Sequence, residues 1–284
     1  MKRGKWGVLA PYLVWMTVFI VVPLGLVLYY SLTATVDGQT VFTTEHFVRF
    51  FRQSDNLLVM WASIRVALVA TVFCLVLGYP IAYILAEKTR NKGSVLLFLF
   101  LVPMWMNFLL RTYAWLTILS RNGILNAVLS FLRLPTQDIL FTDTAVTLGM
   151  VYNFLPFMIL PIYTALKNMD LMLIEGAQDL GANGFHVFVK VVFPLSLPGV
   201  ITGIAMVFMP AVTTFLIPAL LGGRQFILIG NLIEREFMHA RNWNSGAAVA
   251  IVVIFMILAI RGVLMLLDRQ VKDIDRPQEA GTLF

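Results

Sequence analysis

Residues 170–195 read DLMLIEGAQDLGANGFHVFVKVVFPL, a polar, helix-patterned stretch between two apolar runs of membrane length. From Asp170, an N-cap residue, Leu173, Ile174, Ala177 and Leu180 share one helical face, while Glu175, Gln178 and Asp179 share the other. Gly181 suits the stop of that helix, and Asn183 with Gly184 makes a turn. A second short amphipathic run, Phe185 to Phe193, is expected to end at Pro194. The stretch predicts two short helices joined by a glycine turn.

Outside this stretch the chain is mostly lipid-compatible. With 60% hydrophobic and 13% charged residues, one soluble core cannot bury it, which indicates an all-α integral membrane protein. Six helical spans are expected, over residues 7–30, 66–86, 95–118, 145–166, 198–220 and 247–267. An even number puts both termini on one side. Every lysine (Lys2, Lys5, Lys88, Lys92, Lys167, Lys190, Lys272) then falls on that same side, which should be the cytoplasm. Residues 170–195 would lie there too. Asp170, Glu175 and Asp179 against Lys167 and Lys190 leave the loop net acidic, which suits a protein partner better than anionic lipid. The basic head before residue 6 precedes a run too long for a cleaved export signal and is read as the start of an uncleaved first span.

Several classes of function are disfavoured. The formal charge of +6 is spread over loops without an aromatic-basic stripe, so topology and lipid head groups explain it better than nucleic acid. Cys74 is the only cysteine and reads as a small packing residue. His46, His186 and His239 are scattered, without metal-ligand spacing. No phosphate-cradling glycine loop occurs, so a pump built on this chain would take its nucleotide chemistry from another subunit. No acid lies in the middle of a span, against a proton relay. Arg65, Arg111 and Arg261 near helix ends are expected to snorkel. Pro23, Pro80, Pro103, Pro156, Pro161, Pro198, Pro210 and Pro218 interrupt or border the spans, and those inside helices need partners or a cavity around them.

Glu175, Gly176, Ala177, Gly181 and the apolar run ending at Pro194 resemble the E-A-A-x-x-x-G-x9-I-x-L-P signature of bacterial ABC-importer permeases. The departures are Gly176 for alanine and Val191 and Phe193 for isoleucine and leucine. Residues 75–86, 100–126, 155–166 and 220–237 further resemble the spermidine/putrescine permeases of the B-subunit kind. The resemblance implies a type I importer permease of the bacterial inner membrane, with residues 1–60 as N-terminus, bracing first span and outer loop. Residues 61–267 would form the five-helix core carrying the 170–195 loop, and 268–284 a cytoplasmic tail.

The resemblance also implies a second homologous permease, an ATPase dimer holding ATP and magnesium, and a periplasmic solute-binding protein delivering polyamine. Glu175, Gly176, Ala177, Asp179, Gly181 and Pro194 would form the ATPase-coupling element. This chain would bind no cofactor or metal itself. A polycationic cargo would favour the rings of Trp105, Tyr113, Trp115 and Tyr152 and the carboxylates of Asp138, Asp143, Glu234 and Glu236. A permease for another solute is one alternative. A stand-alone carrier, a channel or a membrane enzyme is another, disfavoured by the spaced loop signature and by the lack of intramembrane acids or a polar catalytic cluster.

Overall fold

The computed structural model describes residues 3–36, 39–88, 101–102, 104–223 and 226–274. Helices dominate. Residues 3–31 are helical, with a membrane-length part α1 (Leu9–Ser31), followed by a hairpin of β1 (Thr33–Val36) and β2 (Gln39–Phe42) and by α2 (Glu45–Arg52). Then come α3 (Ser54–Lys88), α4 (Phe108–Leu119), α5 (Ile124–Phe131), α6 (Asp143–Lys167) and α7 (Leu171–Asp179). The chain continues with α8 (Gly184–Thr213), α9 (Leu216–Leu221), α10 (Ile229–Glu234) and α11 (Trp243–Ile274).

Among the described residues, five helices are long and apolar enough to cross a membrane: α1, α3, α6, α8 and residues 243–267 of α11. The expected third span, 95–118, begins outside the described residues. Its described part is interrupted: helix stops at Met106 and restarts at Phe108 under an Asn107 cap, whose Oδ1 accepts the Leu109 N–H at 2.8 Å. The fifth span also differs from expectation. Its main helix ends at Thr213 and a separate short helix, α9, follows.

Pro194 does not terminate a helix either. Gly184–Val187, a π turn at Phe188–Val192 and Phe193–Thr213 form one continuous rod, α8. A proline inside a helix has no N–H to give and presses its ring on the carbonyl four residues back. The π turn before it widens the ladder, so the Phe193 N–H donates to Phe188 O. α1 repeats the device, with a π turn at Thr17–Val21 just before Pro23.

The described chain divides into two compact units, drawn from Met1–Trp61 with Ile229–Ile257 and from Ala62–Leu228 with Leu258–Phe284. In the second unit, α3 buries Ser63, Ala67, Ala70, Cys74, Gly78 and Ala82, small residues three or four apart that permit close helix approach. α6 runs the same way beside it. Arg65 pairs with Asp143, the Cys74 thiol contacts Val151 O at 3.7 Å, and a Cβ on Gly78 would stand 3.2 Å from Met158. α8 packs on α6 through GVITG (199–203): a Cβ at Gly199 would lie 2.7 Å from Pro161 O, and one at Gly203 2.8 Å from Met158 Sδ. α6 itself buries Val146, Met150, Met158, Ile159 and Ile162, so both its prolines, Pro156 and Pro161, sit in a packed helix.

In the first unit, α11 is tied back to the end of α1. Asn244 Nδ2 donates to Tyr30 O at 3.0 Å and to Thr33 O at 2.5 Å, and the Trp243 ring lies against Tyr30 and Phe237. α1 leaves its side chains largely uncovered from Leu9 to Tyr30, as lipid contact permits.

Candidate functional site

The loop between α6 and α8 folds as an exposed helical hairpin. Asp170 caps α7, its Oδ1 accepting the Met172 N–H at 2.9 Å. At the other end Gly181 adopts φ +85°, the Gly181 N–H donates to Gln178 O, and the Ala182 N–H donates to Ala177 O. That pair of bonds is a Schellman ending, which requires the left-handed conformation glycine adopts without steric cost. Asn183 then caps α8, accepting the His186 N–H at 2.9 Å. The helix, stop and turn expected from the sequence are present.

Among the described residues, nothing covers the hairpin tip. Leu180 is 91% exposed, and Met172 and Phe185 are each 74% exposed, an apolar edge that a water-facing loop would not keep bare without a partner. A shallow groove of about 410 Å³ runs between the arms, lined by Ala177, Gly181, His186 and Lys190 among others. Glu175, Gly176 and Asp179 are also exposed on α7, and Pro194 lies half-buried in α8. An added Cβ at Gly176 would meet nothing within 4 Å, so packing does not force this departure from alanine.

What holds the hairpin to the helical body escaped the sequence reading. The Phe188 ring, inside the π turn, meets Tyr79 edge-on at 5.8 Å and Tyr83 at 5.9 Å, and the Tyr79 ring also contacts Phe193. The Ser196 hydroxyl donates to Phe193 O at 2.8 Å, so the Tyr79 hydroxyl, 2.8 Å from Ser196 Oγ, is the donor to it. This latch joins α3 to the point where the hairpin becomes a membrane helix. Tyrosines at 79 and 83, one turn apart near the end of a long apolar helix, were its sequence signal.

Of the aromatic candidates, the structure pairs Trp115 on α4 with Tyr152 on α6, rings 5.4 Å apart and T-shaped. Trp105 and Tyr113 are exposed and, among the described residues, form no ring pair with either. Asp138 lies in an exposed loop, and Asp143 is held by Arg65 Nη2 at 2.5 Å, so Arg65 is engaged in an ion pair. Glu234 and Glu236 belong to the other compact unit, half-buried at the end of α10 and in the turn after it. Arg111 places its guanidinium 5.9 Å from the Phe108 ring centre, and Arg261 borders a crevice beside Thr202.

Asn153 was not anticipated. It is 1% exposed in the middle of α6; Nδ2 donates to Gly149 O at 2.8 Å, while Oδ1 has no partner among the described residues. An unmatched buried acceptor costs about 1–3 kcal/mol, and a hydrogen-bond donor arriving there would relieve it. It follows Tyr152 directly in the chain.

Residues 78–273 match the family described as binding-protein-dependent transport system inner membrane component. The chain belongs to that family. A spermidine/putrescine transport system permease protein PotB of Haemophilus influenzae is 40% identical over 244 residues, covering 84% of each chain. The PotB protein of Salmonella typhimurium is 37% identical over 271 residues, covering 92% of this chain and 93% of that one. Among solved structures, a bacterial ABC transporter that imports the acidic polysaccharide alginate superposes with a TM-score of 0.72 at 17% identity, over 94% of this chain and 95% of that one. The same kind of transporter, in complex with an alginate pentasaccharide-bound periplasmic protein, gives 0.71 at 16% identity, over 94% of both chains.

As a permease of this family the chain is an inner-membrane transport subunit, and its fold is that of ABC importer permeases. The signature residues 175–194 lie within the matched region.

Proposed function

We propose that the chain is one of two homologous membrane halves of an ATP-driven importer and that its cargo is a polyamine such as spermidine or putrescine. The carrying observation is the capped, uncovered hairpin of residues 170–195 latched to α3 through Tyr79. The cargo reading rests on the 37–40% identity to spermidine/putrescine permeases over most of the chain. Both termini and the hairpin face the cytoplasm in this account, as the lysine distribution favours. An ATPase dimer docks on the hairpin and holds ATP and magnesium, and a periplasmic binding protein delivers cargo on the other side.

The division into structural roles follows from that arrangement. Residues 61–267 form the moving core, 1–60 brace it, and 268–284 form the cytoplasmic tail. Leu180 and Ala177 seat in a groove on the ATPase, with Gly181 allowing close approach and Glu175 and Asp179 paired with basic residues there. Gly176 leaves that face unobstructed, and Pro194 with its π turn sets the angle at which the hairpin enters α8. Closure of the ATPase on ATP displaces the hairpin. The latch passes this movement to α3, and the GVITG contact passes it to α6, so three helices move together.

Cargo contacts in the passage are weak and sequential. The Trp115–Tyr152 pair offers ring faces to an ammonium, worth about 0.5–2 kcal/mol. The unmatched Asn153 Oδ1 offers a neutral acceptor. Trp105, Tyr113, Asp138, Glu234 and Glu236 serve as outer contacts, while Asp143, already paired with Arg65, offers less free charge.

Reconstitution of the chain with its partner permease, ATPase and binding protein tests this directly. Labelled spermidine or putrescine should accumulate in proteoliposomes only with ATP. Uptake of an anionic control alone would end the polyamine assignment, and polyamine uptake indifferent to ATP would end the importer assignment.

A further inference from the structure

α3 and α6 touch closely at Gly78, and a crevice of about 420 Å³ between them runs from Leu77 and Val151 to Arg65 and Asp143. Its walls are mostly apolar, with Val69, Phe73 and Leu77 on one side and Leu148 and Val151 on the other; Thr144 and Thr147 lie toward the Asp143 end. The Arg65–Asp143 pair closes its far end. Arg65, Val69, Phe73 and Leu77 recur every fourth residue and extend about 18 Å along the helix at about 1.5 Å per residue. That length matches about one leaflet, half of a hydrocarbon core about 30 Å thick.

We propose that this crevice is a phospholipid site. An acyl chain lies against Val69, Phe73, Leu77 and Val151, the lipid phosphate meets Arg65, and a primary-ammonium head group, as in phosphatidylethanolamine, meets Asp143. Charge complementarity selects this occupant. Arg65 and Asp143 present one positive and one negative group side by side, as a zwitterionic head group does with its signs reversed. Their contact uses one guanidinium nitrogen and one carboxylate oxygen, so both groups retain hydrogen-bonding capacity. Both side chains are about half exposed, 56% and 53%.

The head-group layer also fits better than a protein surface. Covering the pair with protein would strip water from two ions, a cost their mutual attraction repays only with excellent geometry and further hydrogen bonds. In the polar head-group layer the pair keeps hydrated, hydrogen-bonding surroundings while the crevice below is filled by hydrocarbon. The ammonium must carry an N–H to donate to Asp143, as that of phosphatidylethanolamine does and the quaternary one of phosphatidylcholine does not.

Native mass spectrometry of the full chain in mild detergent, titrated with phosphatidylethanolamine or phosphatidylcholine, tests the site. Wild type should retain phosphatidylethanolamine about five- to tenfold better, the worth of one exposed charge-assisted contact. Asp143→Asn should remove that preference, Arg65→Ala should weaken both lipids, and Val69→Trp should displace both by filling the crevice. Because Arg65 and Asp143 are surface groups, their variants report even if Val69→Trp folds poorly. Equal retention of the two lipids by wild type, or an unchanged preference in Asp143→Asn, would overturn the proposal. So would a photo-crosslinker at position 69 that joins protein instead of lipid in native membranes.

Discussion

Tyr79 on α3 donates its hydroxyl hydrogen bond to Ser196 on α8 at 2.8 Å, across 117 residues of sequence. The same tyrosine ring closes on Phe188 and Phe193 around the π turn, so a single side chain fixes where the exposed hairpin ends and the membrane rod begins. Force applied to the hairpin therefore reaches two membrane helices at once.

Two substitutions at Tyr79 separate the hydrogen bond from the packing. Tyr79→Phe keeps the ring and loses one part-buried bond, about 1 kcal/mol, so a small fall in melting temperature and nearly normal uptake are expected. Tyr79→Ala removes the half-buried ring from the cluster at a cost of about 1–2 kcal/mol. In the reconstituted transporter it should raise the ATP hydrolysed per molecule imported.

Within this chain, Gly181 is constrained by its backbone and not by packing. Its φ is +85° and a Cβ there would meet nothing within 4 Å, so the penalty for another residue comes from the left-handed conformation, about 1–2 kcal/mol. Gly181→Asn should preserve most ATP-coupled uptake because asparagine tolerates that conformation. Gly181→Val should insert normally yet uncouple hydrolysis from uptake. Equal activity of the two variants would contradict this account of the turn.

Gly199 and Gly176 should respond oppositely to alanine. At Gly199 a Cβ would fall 2.7 Å from both Ala165 Cβ and Pro161 O, so Gly199→Ala should destabilise by about 1–3 kcal/mol and lower the melting temperature in detergent. Gly176 faces open space on a helix, and Gly176→Ala should gain up to about 1 kcal/mol of local helix stability while leaving transport intact.

The hairpin was legible in the sequence because its ends depend on local chemistry: Asp170 caps with its own carboxylate, and Gly181 supplies a positive φ. α6 and α11 were legible by apolar length. Hydropathy failed at Asn107, where one capping amide breaks the helix between Met106 and Phe108, both apolar. It failed at Pro194 because a π turn lets the helix absorb a proline that local rules read as a stop. Arg65 with Asp143 and Tyr79 with Ser196 are pairings distant in sequence, and no periodicity encodes them. Asn153 escaped because a search of the spans for charge passes over a neutral amide.

Leu180, the most exposed large apolar side chain of the hairpin tip at 91%, gives the most direct test of docking on the ATPase. Cys74 is the only cysteine and is buried, so a Cys74→Ala, Leu180→Cys chain carries one accessible thiol. In membranes containing the assembled transporter, a short bifunctional crosslinker on that thiol should join the chain to the ATPase subunit, with a yield that changes when ATP is added. Labelling of the thiol by water-soluble reagent to the same extent with and without the ATPase, and no crosslink to it, would contradict the account.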